Sequence, residues 1–234
     1  MKLRIKFSKH GVLKFIGHLD VMRYFQKAIR RAGIDICYST GFSPHQIMSF
    51  AAPLGVGLES NGEYMDIEVN SITSTDDVKN ALNNQMADGI EVLEVVLLPD
   101  NAGNAMASVA AASYTIRFRE EYKPEFLNAS SVNRFYKEQE EIVVTKKTKK
   151  SESTFDIKPF IYEMGYDAEN AMISLTVDAS SSGNIKPSLV MKALYDMNNA
   201  ELDEFGLLIT REETYMNVGD EENRILKPLG YIGE

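Results

Sequence analysis

Cysteine is nearly missing from this 234-residue chain, and Cys37 stands alone. One cysteine makes neither an internal disulfide nor a cysteine cluster for zinc or iron–sulfur. It sits in IDICYST, an apolar alternating stretch that reads as a buried, inert thiol rather than a reactive one. Tryptophan is absent, and the three histidines, His10, His18 and His45, are far apart with no HExxH among them. No apolar run reaches the length of about eighteen residues that a membrane span needs. The opening MKLRIKFSKHGVLKF is too broken by charge for the apolar part of a signal peptide. A cytoplasmic protein without membrane contact is therefore expected. Neither GxxxxGK[ST] nor a GxGxxG after a strand occurs, so the common phosphate-cradling loops are excluded.

What is present is ordinary in amount and uneven in placement. Hydrophobic residues make up 44% and charged residues 25%, enough for a proper core in one large domain or two small ones. The formal charge is −9. Yet residues 1 to 31 hold Lys2, Arg4, Lys6, Lys9, Lys14, Arg23, Lys27, Arg30 and Arg31 against Asp20 alone, a net of +8. Residues 32 to 104 hold eleven acids against Lys79, a net of −10. Such polarity suits one face to an anion; the alternative is helices solvating themselves with whatever charge is available.

Periodicity organises the chain. KLRIKF alternates, with Leu3, Ile5 and Phe7 on one face and Lys2, Arg4 and Lys6 on the other, as in a half-buried strand. HLDVMRYFQKAIRRAG is a helix with an apolar stripe through Val21, Met22, Phe25, Ala28, Ile29 and Ala32, stopped by Gly33. Strand pieces DICYST and HQIMSFAA flank the turn-rich GFSP, EYMDIEV alternates, 76–86 is helical, and IEVLEVVLL is a strand ended by Pro99. That order, β-α-β-β-α-β, is the ferredoxin-like pattern. After a small-residue connection at 101–113 the order recurs: SYTIRF, a helix at 128–139, the strand-like EIVVTKKTKK and STFDIKPFIYEM, AMISLTVDA, a helix at 186–197 and FGLLITREETYM. The expectation is an α+β protein of two tandem ferredoxin-like units. Residues 1–104 form the first domain, and 105–234 form a second with a lysine-rich hairpin and an exposed tail, NVGDEENRILKPLGYIGE.

Candidate functional residues follow from charge and turn chemistry. Arg23, Lys27 and Arg30 fall at i, i+4 and i+7, with Arg31 four beyond Lys27, so they line one helical face opposite the apolar stripe. GFSPHQIMSFAAPLGVGLES packs Gly41, Pro44, Pro53, Gly55 and Gly57 into twenty residues, the makings of a shaped loop or of a plain hairpin end. A second basic cluster, TKKTKK, supplies Lys146, Lys147, Lys149 and Lys150, suited to phosphate or simply to solubility. His18, Asp20 and His45 could meet as a metal or acid–base site; ordinary structural roles are the preferred reading, and no metal is expected.

The stretch from RIKFSK to EYMDIEV strongly resembles the opening of a bacterial radical-SAM-associated domain family of unknown function. The pieces that carry the resemblance are Phe7-Ser8-Lys9, Gly17-His18-Leu19-Asp20 with Arg23, Arg30-Arg31-Ala32-Gly33, Tyr38 to His45, Ser49 to Leu54 and Ser60 to Glu68. Gly17 stands where the family pattern has serine. The match is dense over residues 3 to 70 and looser beyond, where TKKTKKSESTFDIKPFI resembles a lysine-rich segment of the family's second half. The resemblance implies a radical SAM protein as partner, fused or encoded nearby, in a genomic setting that points to RNA. This chain lacks CxxxCxxC, so the iron–sulfur cluster and S-adenosylmethionine are expected only on the partner. Two ferredoxin-like domains are also similar to CRISPR repeat-processing endoribonucleases, a likeness of fold alone.

Three functions are compatible with these residues. The first is an RNA-binding accessory protein presenting tRNA or rRNA to a radical SAM enzyme. Arg4, Lys6, Arg23, Lys27, Arg30, Arg31, Lys146, Lys147, Lys149 and Lys150 would meet phosphates, and His18, Tyr38, Phe42 and His45 would meet unpaired bases. The second is an RNA-processing or RNA-modifying enzyme with His18 or His45 as acid or base and Arg23 stabilising phosphate charge. The third is a scaffold whose basic face docks an acidic patch on the radical SAM partner.

Overall fold

The computed structural model describes residues 1–147, 152–220 and 223–233. The chain folds as a mixed α+β protein with a mostly antiparallel sheet and, among the described residues, five α-helices. It groups into two compact units: Met1–Ala110 together with the chain from Arg211 onward, and Ala111–Thr210.

The first unit begins with β1 (Lys2–Lys9), α1 (His18–Arg31), β2 (Met48–Phe50), β3 (Glu59–Glu68), α2 (Thr75–Asn83) and β4 (Ile90–Leu97), then a one-turn α3 (Ala105–Ser108). β1 lies between β4 and β3, antiparallel to both, and β2 pairs antiparallel with Met65–Ile67 of β3. Leu3, Ile5 and Phe7 project from β1 onto Val21, Phe25 and Ile29 of α1 and Val78 and Leu82 of α2, which close one core. α2 starts at Ser74, whose Oγ accepts the Asp77 N–H at 3.0 Å, and acids Asp76 and Asp77 fill its first turn, where the helix dipole favours them.

The second unit runs β5 (Ala111–Phe118), α4 (Ala129–Tyr136), β6 (Val143–Lys147), β7 (Glu152–Asp156), β8 (Ile161–Asp167), β9 (Met172–Asp178) and α5 (Pro187–Met197). β9 pairs antiparallel with β5 and β8, while β6 and β7 form a separate hairpin. Asn128 caps α4 with a reciprocal Ser131 bond, and Pro187 opens α5 where no N–H is needed.

β10 (Leu207–Asn217) leaves the second unit and re-enters the first, followed by β11 (Leu226–Pro228), which pairs with Tyr215–Asn217. Leu229 is fully buried, its N–H donates to Thr214 O at 2.9 Å, and Thr214 Oγ1 donates to Gly62 O at 2.8 Å. Leu229 O accepts from Arg4 Nη1, and Arg4 and Ser8 on the polar face of β1 are buried, as Leu3 and Ile5 are on the other.

Candidate nucleic-acid interface

The basic helix is α1. Val21, Phe25, Ala28 and Ile29 are its buried residues, and Arg23, Lys27, Arg30 and Arg31 are all exposed. Arg23 Nη1 lies 3.5 Å from Asp20 Oδ1, with both side chains more than 60% exposed, a pair that water screens to little effect. Arg31 Nη2 donates to Gln85 O at 3.2 Å. Lys27 and Arg30 make no ion pair among the described residues, so their charge faces solvent uncompensated.

Beside α1 stands a narrow hairpin. Cys37 N–H donates to Glu68 O, Ile47 N–H to Cys37 O, and Ser39 N–H to His45 O, all at 2.8 to 2.9 Å. Gly41, at φ 113°, sits in its tip, where an L side chain would be strained. The His45 N–H donates to Ser39 Oγ at 3.1 Å, and His45 Nδ1 lies 2.8 Å from the same hydroxyl. Gln46 Nε2 donates to Gln26 O at 3.2 Å, fastening the hairpin to the helix. Gln26 is three residues after Arg23 and four before Arg30, hence beside both on the helix surface. Tyr38 is half exposed, His45 is exposed, and Phe42 is wholly in solvent at the tip.

Other residues expected at this surface are elsewhere. Arg4 is 3% exposed and bound inside the first unit. Its Nε and Nη2 donate to the two Asp66 carboxylate oxygens at 2.7 and 2.9 Å, Nη1 to Leu229 O at 2.9 Å, and Nη2 also to Gly103 O at 3.0 Å. These bonds hold it as a structural strut inside the first unit. Lys6 is likewise committed: its Nζ pairs with Glu213 and lies 5.8 Å from the Tyr64 ring centre. Lys146 and Lys147 belong to β6, while Lys149 and Lys150 lie outside the described residues. His18 packs edge-on against Phe50 at 5.0 Å between ring centres, and no hydrogen bond or ring contact joins it to His45. Among the described residues no three His, Cys, Asp or Glu side chains converge into a group able to hold a metal ion.

A family model described as an uncharacterized protein conserved in bacteria (DUF2344) matches residues 2–187. The chain belongs to this family. No curated protein matches it. The matched span takes in α1 and the hairpin of this DUF2344 member and stops before β10.

Within the first unit the family member also holds a buried charged cluster that sequence reasoning missed. Lys9, Glu63 and Arg211 are 2%, 5% and 6% exposed. Glu63 Oε1 accepts from Arg211 Nη1 at 2.9 Å and from Ser60 Oγ at 2.7 Å, and Arg211 Nη1 also donates to Ala52 O at 3.0 Å. Lys9 Nζ has a single long bond, 3.4 Å to Ile16 O. Burial holds its ammonium below the usual lysine range; the Glu63 carboxylate opposes that shift and the Arg211 guanidinium adds to it. Lys9 closes the Phe-Ser-Lys piece of the resemblance, which was the available signal. Its partners lie 54 and 202 positions away, so spacing alone was silent.

Proposed function

We propose that this DUF2344 member is a cytoplasmic RNA-binding accessory protein that presents tRNA or rRNA to a radical SAM enzyme. The observation that carries the reading is Phe42, an aromatic wholly exposed on a hairpin that Gln46 fastens to α1 beside Arg23 and Arg30. Unpaired nucleic acid is bound by this pairing of a π-face for a base with cations for the backbone. Tyr38 and His45 on the same hairpin offer further contacts to bases. The radical SAM partner, which would carry the iron–sulfur cluster and S-adenosylmethionine, rests on the resemblance over residues 3 to 70. We infer too that each unit is a ferredoxin-like module. The β4-β1-β3-β2 order of the first supports this, as does β5-α4-…-β8-β9-α5 in the second with β6–β7 inserted.

The test is titration of fluorescent single-stranded RNA at several salt concentrations, with Lys27→Ala, Arg30→Ala and Arg31→Ala combined. At roughly 0.7 of slope per phosphate contact on a single strand, losing three contacts lowers the log–log salt slope by about 2. An unchanged slope and affinity, with the variant losing capture of the radical SAM protein, would move the basic helix to the scaffold reading.

A further inference from the structure

We propose that the cavity between Lys9 and the start of α1 is a carboxylate-binding site, with Lys9 as its counter-ion and Phe50, Pro53 and Leu54 as its apolar walls. The cavity is also lined by His18 and Glu63 and measures about 20 Å³, and ~10–15 Å³ suffices for one water. It therefore admits one oxygen of a flat carboxylate, whose apolar remainder would stay against the walls.

Three observations converge. Lys9 is nine-tenths and more buried, makes no ion pair among the described residues, and has one long hydrogen bond where an ammonium offers three donors. Glu63, the acid that lines the cavity with it, is already engaged by Arg211 and Ser60 through Oε1. And the Lys9 bond ends on Ile16 O, next to Gly17, the N-cap of a 14-residue helix that has no side-chain cap. The positive end of the α1 dipole thus adds to Lys9 rather than offsetting it. The one acid in the first turn, Asp20, faces solvent toward Arg23. An incoming anion is what this arrangement lacks.

Proton linkage gives the site a signature. The groups facing the amine are Glu63 from β3, Arg211 from β10 and His18 from α1. Burial favours the neutral amine of Lys9 over its ammonium. A bound carboxylate favours the charged form, so binding takes up a proton and weakens as pH rises.

The test uses the full chain with acetate and propionate as free acids, an acidic peptide as a stand-in for a partner's side chain, and phosphate as a comparator. Melting curves and calorimetry in two buffers of different ionisation heat are read together at pH 7 and pH 9. Expected are a saturable rise in melting temperature with either carboxylate source, proton uptake of up to one per site at pH 9, and loss of both in Lys9→Met. Whichever of the free acids or the peptide acts alone identifies the natural source and supports the site. Because Lys9→Met removes a buried cation, it should melt no lower than the parent. Should it fail to fold, Ala52→Leu keeps the amine and narrows the partly exposed side of the cavity, and it too should abolish the carboxylate effect. Equal shifts in parent and both variants would overturn the proposal, as would a linear, unsaturable response or an equal, Lys9-dependent response to phosphate.

Discussion

Replacing Arg4 by alanine separates a strut from a phosphate ligand. The guanidinium bridges Asp66 and two backbone carbonyls, Leu229 O and Gly103 O, while only 3% exposed. Removing one partner of a buried ion pair costs about 3–5 kcal/mol, because the other charge stays buried and unpaired. Leu229 is buried, so its carbonyl loses its donor without reaching water freely, adding about 1 kcal/mol. The total, about 5 kcal/mol, is a large share of the ~5–15 kcal/mol that holds a domain together. At roughly 3 °C per kcal/mol for a domain of intermediate size, the first unit should melt about 15 °C lower. The chain has no tryptophan, so far-UV circular dichroism during urea unfolding is the suitable assay. A cycle with Arg4→Met, Asp66→Leu and the double variant should show a coupling of about 2–3 kcal/mol. An Arg4→Ala protein that loses less than about 1 kcal/mol yet binds RNA with a shallower salt slope would refute the burial argument and return Arg4 to the surface.

Phe42→Ala should leave the urea midpoint nearly unchanged, within about 0.5 kcal/mol, and weaken single-stranded RNA binding by ~1–3 kcal/mol if a base stacks there; equal binding would remove the hairpin from the interface. Gly62→Ala places a Cβ 2.6 Å from Glu213 Cα and 2.8 Å from Glu212 O. Backbone must move to admit it, so a loss of about 1–3 kcal/mol is expected in urea unfolding, and a silent substitution would contradict the close strand approach. Asp178 is pulled toward a higher pKa by burial, but hydrogen bonds from Tyr162, Ser180 and Asn184 outweigh this and hold it below the usual carboxylate range. A lowered folded-state pKa means its stabilisation is complete above the unfolded value of about 3.9 and fades as pH falls through the folded value. The stability gap between parent and Asp178→Asn should therefore shrink below about pH 4; a gap independent of pH from 7 to 3 would show that its charge is not involved.

Local pattern made most elements legible. Ser74 or Thr75 was a readable start for α2, Pro187 marked the opening of α5, and the stripe from Val21 to Ala32 fixed which face of α1 is buried. What stayed hidden depends on contacts of long sequence range. Alternation in KLRIKF separates two faces but does not say that both are covered. Arg4 and Lys6 looked solvent-facing because their partners, Leu229 and Glu213, come more than 200 positions later. The final segment is rich in glycine and charge, which reads as a tail. Leu229, deeply buried within it, carries no periodicity to betray it. At the site, helical spacing correctly separated the exposed Lys27 and Arg30 from the core. The hairpin's attachment to Gln26 through a single glutamine side chain left no trace in composition.

The return of β10 into the first unit has a consequence for how the protein is made. When the ribosome has released Met1–Ala110, Glu63 has no Arg211, Lys6 has no Glu213 and Arg4 has no Leu229. At roughly 5–20 residues per second, the intervening stretch Ala111–Thr210 delays Arg211 by about 5–20 s. That stretch is contiguous and free to fold ahead of the module that precedes it. The nascent first unit therefore carries half-built buried ion pairs until β10 emerges.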